Sequence, residues 1–218
     1  PPGSIALGTP MKGGPATVYG NVEVAAGAAL DVSGGGWLSG VTAGGKAGKV
    51  KAGNGGAISL TAFDSTALRT LDLRGWSGGD ASRLGIRATG DVQVGGAAPA
   101  AADTLHLPET LFADRGFGTI GIRSLGGDVV VAEGAQVHIQ PTSWDMPAAV
   151  STLRTLPSGS ALGDVLAPKT LDELSEQRRA ARAPGGLSLA TGATGGGIRL
   201  DANATIQTEN RRAISLGA

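Results

Sequence analysis

Residues 127–139 read Gly127-Asp128-Val129-Val130-Val131-Ala132-Glu133-Gly134-Ala135-Gln136-Val137-His138-Ile139. In a strand, residues i and i+2 face the same side, so Val129 and Val131 share one face, as do Val137 and Ile139. Each triplet predicts a very short strand with one apolar face, and a turn ending in Gly-Ala joins the two. Neither strand could bury that face alone. The same phrase stands at 20–32 (Gly20-Asn21-Val22-Glu23-Val24 into Leu30-Asp31-Val32). A looser copy stands at 197–207 (Gly197-Ile198-Arg199-Leu200-Asp201-Ala202-Asn203-Ala204 into Thr205-Ile206-Gln207).

Between these copies the triplet recurs at Ile58-Ser59-Leu60, Leu71-Asp72-Leu73, Leu84-Gly85-Ile86, Val92-Gln93-Val94, Leu105-His106-Leu107 and Ile120-Gly121-Ile122, then at Leu187-Ser188-Leu189 and Ile214-Ser215-Leu216. Val129 to Val137, Ile198 to Ile206 and Ile206 to Ile214 are each steps of eight residues. Three such steps make about 24 residues, one turn of a three-sided coil within the size range of solenoid repeats. Many similar half-buried strands hide their apolar faces only by stacking. The spacing therefore predicts an all-β chain, a three-sided parallel β-helix with rungs over 1–141 and 185–218.

Composition agrees. The chain of 218 residues is 41% hydrophobic but only 3% aromatic, which suits a thin core of Val, Ile, Leu and Ala. Glycine numbers 38, well above the usual share of about 7% and without a collagen period, and supplies turns. Lys plus Arg equals Asp plus Glu at eighteen each, so no broad electrostatic footprint for nucleic acid exists. There is no cysteine, which excludes disulfides, thiolate nucleophiles and cysteine-based zinc sites. No apolar run is long enough to span a bilayer. Pro1-Pro2-Gly3-Ser4 is not a signal peptide, and the chain reads as an interior stretch of something longer.

Residues 142–184 break the rhythm. Pro141, Pro147, Pro157 and Pro168 punctuate them, and Thr170-Leu171-Asp172-Glu173 is a capping-box sequence. The expectation is an inserted excursion with one short helix carrying Leu171, Leu174, Arg178 and Ala181 on a stripe and ending at Ala183-Pro184-Gly185. Arg178, Arg179 and Arg182, with Glu173 and Glu176, read as a solvated helix face. A further turn over 148–156 and a bulging loop over 97–103 are expected.

The phrases at 20–37, 55–60, 126–135 and 196–208 resemble bacterial filamentous haemagglutinin-like proteins, the secreted adhesins of two-partner secretion systems. The resemblance covers nearly all the chain except 142–184. It implies a right-handed parallel β-helix, export through an outer-membrane pore, a place at the bacterial cell surface, and contacts with host cells, sister cells or matrix. No secretion-domain residues are carried over, because none is recognisable here.

No catalytic, cofactor-binding or metal-binding residue is assigned, and no enzyme activity, membrane span or nucleic-acid partner is expected. Gly40-Val41-Thr42-Ala43-Gly44-Gly45-Lys46-Ala47 nearly spells a P-loop but lacks the Ser or Thr after Lys that would hold magnesium. His106 and His138 occupy outward central positions; catalysis or metal binding would need an aligned carboxylate such as Asp72, Asp91, Asp128 or Asp201. Trp37, Trp76 and Trp144 could stack on sugars but are expected to plug corners. Asn203-Ala204-Thr205 is a sequon that a bacterial chain would not use.

The expected function is a structural or adhesive shaft segment, with homopolymerisation or lateral bundling as a possible mode of association. Three alternatives stay open: a polysaccharide-acting β-helix enzyme, a polymerising fibre subunit and a toxin-delivery stalk. The enzyme would need clustered carboxylates, whereas Asp31, Asp64, Asp72, Asp80, Asp91, Asp103, Asp114 and Asp128 are dispersed. The one close pair, Asp172-Glu173, sits in the capping box.

Overall fold

Short apolar triplets pair side by side in the computed structural model, which describes residues 4–7, 27–38, 50–62, 71–99, 101, 103–146, 155–157, 159–192, 196–209 and 214–217. The expected strand at 22–24, the loop at 40–47 and most of the turn at 148–156 lie outside those residues. The protein is all-β with few helices, and its main sheets are parallel.

The largest sheet has six strands in the order β1 (Ser4–Leu7), β5 (Ala57–Ala62), β7 (Ser82–Ala88), β10 (Phe117–Ser124), β13 (Gly186–Ala190) and β16 (Ile214–Gly217), all parallel. Its register aligns like with like. Ile58 faces Leu84, Leu84 faces Ile120, Ile120 faces Leu187, and Leu187 faces Ile214. A second sheet runs β14 (Ile198–Leu200), β11 (Val129–Val131), β8 (Val92–Val94) and β9 (Leu105–Leu107), also parallel. Two parallel pairs complete the regular pairing: β12 (Gln136–Ile139) with β15 (Thr205–Thr208), and β2 (Ala29–Asp31) with β6 (Asp72–Arg74). β3 (Gly36–Leu38) and β4 (Val50–Ala52) instead form an antiparallel pair.

Alternation in sequence becomes alternation in burial. In β11, Val129 and Val131 are fully buried while Val130 is half-exposed, and the seven residues of β7 alternate strictly. The buried aliphatics form one contiguous core running through all the parallel sheets. Phe112 and Phe117, each 1% exposed, are its largest members and sit at a corner rather than in the repeat.

The recurring turn has a local cause. Gly27, Gly134 and Asn203 occupy equivalent places before a strand and adopt φ of 82°, 69° and 58°. That left-handed conformation costs glycine nothing and asparagine little, which is why the phrase ends in Gly-Ala or Asn-Ala. Asn203 thus has a turn role that the sequon reading overlooks.

Two departures from the simple rhythm matter. Leu105–Leu107 does not begin a new layer; the loop after β8 turns the chain back, and β9 pairs parallel with β8 itself. The helix α1 (Thr110–Ala113) then follows β9. Its segment is bonded on both sides, with the Gly75 N–H donating to the Arg115 carbonyl and the Thr142 N–H to the Ala113 carbonyl. The Glu109 carboxylate also accepts the Gln136 N–H at 2.9 Å.

The excursion differs from expectation at its helix start. The Thr170 N–H donates to Glu173 Oε2 at 2.9 Å, the reciprocal half of a capping box, but the Thr170 hydroxyl also donates to that carboxylate at 2.8 Å. With the hydroxyl so engaged, the box closes an isolated turn. The helix α2 (Glu176–Ala181) begins after Ser175 instead.

Candidate functional site

Residues 141–146 run, buried, across the corner formed by residues 75–80. The Trp144 N–H donates to the Ser77 carbonyl at 3.1 Å, and Ser143 and Lys169 exchange backbone hydrogen bonds as an antiparallel bridge. Trp76 and Trp144 meet at 5.5 Å between ring centroids with a 58° tilt. The Trp76 indole N–H donates to Thr142 Oγ1 at 2.9 Å and to the Asp114 carbonyl at 3.0 Å. Both rings plug the corner, as expected; the Trp37 side chain lies outside the described residues. Met146, 1% exposed, presses so closely on Gly78 that a Cβ there would fall 2.4 Å from Met146 Cγ. The excursion and the corner are therefore shaped to each other.

Buried charge fastens the contact. The Asp145 side chain is 4% exposed; Oδ2 accepts the Ser175 N–H at 3.1 Å, Oδ1 accepts the Ser175 hydroxyl at 2.9 Å, and Lys169 Nζ lies 3.6 Å away. Arg178 donates to the Gly79 carbonyl at 2.8 Å. Burial lowers the pKa of Arg178, opposed by Asp80 and Asp145. Arg182 donates to the Pro141 carbonyl at 2.8 Å and forms an ion pair with Glu209, the residue after β15. Burial, reinforced by Arg178, pushes Arg182 down to about 10, and the touching Glu209 carboxylate acts in the other direction. Arg182 is charged at neutral pH.

The solvated helix face expected of Arg178, Arg179 and Arg182 is thus corrected. Arg178 and Arg182 turn inward, 5% and 8% exposed, and only Arg179 stays in solvent. Distant partners, the Gly79 carbonyl and Glu209, make their burial tolerable. Asp145→Ala should loosen this mooring by about 1–3 kcal/mol, the cost of orphaning buried donors. Tryptic cleavage between Arg178 and Arg179 should accelerate while the β-sheet circular dichroism is unchanged.

Two clefts border the excursion among the described residues. One, of about 1210 Å³, lies between Gly34–Gly36 with Arg74 and Trp76 and the loop at 159–168. Arg74 in that cleft is tied to Asp72, with Nε 2.7 Å from Oδ2. The other, of about 580 Å³, lies between α2 and strands β12 and β15, with His138, Arg179 and Gln207 in its lining.

Among the described residues, neither histidine is paired with a carboxylate. His106 Nε2 lies 3.1 Å from the Gly96 carbonyl and 3.3 Å from that of Gly95, so its N–H closes the turn after β8. His138 is exposed beside its ladder partner Gln207. The aspartates are engaged structurally: Asp72 holds Arg74 and Arg115, and Asp201 holds Arg199. Asp91 Oδ1 accepts the Asp128 N–H at 2.8 Å, and Asp128 Oδ1 accepts the Gly197 N–H at 2.7 Å. Asp91 and Asp128 thereby brace the segments that lead into β11 and β14. Among the described residues, no group of three His, Asp or Glu side chains is placed to hold a metal ion, and no helix is long and apolar enough to cross a membrane.

No protein-family model, curated protein or solved structure matches the chain. The likeness to filamentous haemagglutinin-like proteins therefore rests on the repeat phrases alone.

Proposed function

We propose that this chain is a segment of a right-handed parallel β-helix serving as the structural and adhesive shaft of a filamentous haemagglutinin-like exoprotein at the bacterial surface. The observation that carries the reading is the register: the same aliphatic pair faces itself on five strands of the largest sheet, always in parallel. The chain passes from that sheet to the second and on to the third position in a fixed order, as β10, β11, β12 and again as β13, β14, β15. Parallel crossovers within one sheet are right-handed in about 98% of cases, which supplies the hand.

The mechanism is mechanical. Inter-strand hydrogen bonds lie along the stack and each layer adds about 4.8 Å of reach. The excursion at 142–184 is a brace and contact element on the side of the shaft. Export through the outer-membrane pore and attachment to cells or matrix belong to the same proposal.

Beads coated with the protein should adhere to bacterial cells or their matrix while bare beads wash away. Absence of adhesion to every cell and matrix tested, or release of reducing ends or unsaturated products from a polysaccharide, would overturn the shaft reading.

A further inference from the structure

On the outer face of the largest sheet, Arg83 and Arg87 of β7 and Arg123 of β10 are all exposed. Its six strands contain no aspartate or glutamate at all. Elsewhere Arg74 and Arg115 are neutralised by Asp72, and Arg199 by Asp201. Arg83, Arg87 and Arg123 have no ion-pair partner among the described residues. Arg87 and Arg123 are moreover direct ladder partners, so two like charges stand on strands about 4.8 Å apart, an arrangement that disfavours the fold.

The space between these arginines is flat. Ser59, Gly85, Gly121, Ser188 and Ser215 are ladder partners in one row across five strands. Arg83 stands on one side of that row and Arg87 with Arg123 on the other, roughly 13 Å apart along the strand direction. The lane runs along the stack for about 19 Å, four strand intervals. Its floor offers serine hydroxyls, and its walls offer guanidinium groups.

We propose that this lane binds a linear, carboxylate-bearing polysaccharide lying along the stack. Guanidinium groups match planar carboxylates in two-pronged hydrogen bonds, so recurring uronate carboxylates fit the two cationic walls. The hydroxyls of Ser59, Ser188 and Ser215 serve the sugar hydroxyls, and a floor without bulky side chains lets a thin polymer lie against the backbone. A single-stranded nucleic acid would require aromatic platforms, and the lane has none. The inference rests on the adhesive reading for its setting and names the matrix chemistry the shaft would touch.

The test is retention of alginate, a polyuronate, by the immobilised full chain, with neutral dextran and single-stranded DNA as comparisons. Alginate should bind at low salt and be released at high salt, and dextran should not bind. Replacing both Arg87 and Arg123 with alanine should weaken binding about tenfold or more, the loss of two charge-assisted contacts. Gly121→Glu is the decisive variant. A Cβ there meets nothing within 4 Å, so the fold and its melting curve should persist while a carboxylate repels the ligand from the lane. Arg199→Ala, on the second sheet, should bind like the parent. No alginate binding, DNA binding of equal strength, or full binding by Gly121→Glu would overturn the lane. If Gly121→Glu binds alginate fully while its coated beads still adhere, the lane fails and the shaft reading stands.

Discussion

Ile120→Asp should leave a chain with no cooperative thermal transition by circular dichroism. Ile120 is fully buried in β10, facing Leu84 on one neighbouring strand and Leu187 on the other. A carboxylate there has aliphatic neighbours above and below and no cation to meet. An unpaired buried charge costs several kcal/mol even when it neutralises itself, against a typical total stability of about 5–15 kcal/mol. Ile120 is also paired with strands on both sides, so a charge there disturbs the contacts of β7 and β13 as well. Two comparators define the cause. Ile120→Val should lose only about 1 kcal/mol and keep the transition. Thr119→Asp, one residue away but outward and exposed, should stay within about 0.5 kcal/mol of the parent. If the two aspartate variants melted alike, the inward ladder would not be what holds the strands together.

The second large effect is local. Glu209→Ala removes the partner of Arg182, whose side chain is 2% exposed, and leaves a buried guanidinium with only the Pro141 carbonyl. Breaking one side of such a pair costs about 3–5 kcal/mol, whereas removing both partners costs far less. Hydrogen exchange should therefore accelerate across 159–184 in Glu209→Ala, with the strands of the largest sheet still protected. The double variant Arg182→Met with Glu209→Ala should recover much of that protection. Equal exchange in the single and double variants would show that the excursion is held by Met146, Trp144 and Asp145 instead.

Both expectations separate local from long-range information. The alternation Val129-Val130-Val131 is legible because side-chain direction in a strand is set by the backbone itself, two residues at a time. The left-handed turn is legible too, as Gly134 and Asn203 carry their conformational preference wherever they stand. The pairing of Leu105–Leu107 with Val92–Val94 is not legible, since that triplet has the same pattern as those that begin a new layer. Phe117 carries no repeat signal, yet it is among the largest fully buried side chains because the corner at Gly75 leaves room for a ring and no Cβ.

The arginines show the limit most clearly. Arg178 and Arg182 stand in a polar, helix-forming run and read as solvent-facing, but burial of a guanidinium depends on acceptors that the local sequence does not contain. Those acceptors come from the Gly79 carbonyl, Pro141 and Glu209, residues far away in the chain. Arg83, Arg87 and Arg123 are equally unremarkable in sequence and become a charged lane only when parallel register aligns their strands. By itself, then, the sequence determined strand length, facing and turn chemistry, all properties of a few consecutive residues. The tertiary structure alone decided which strands are neighbours, which charges are desolvated and which surface lies bare, because each of these depends on partners that only packing brings together.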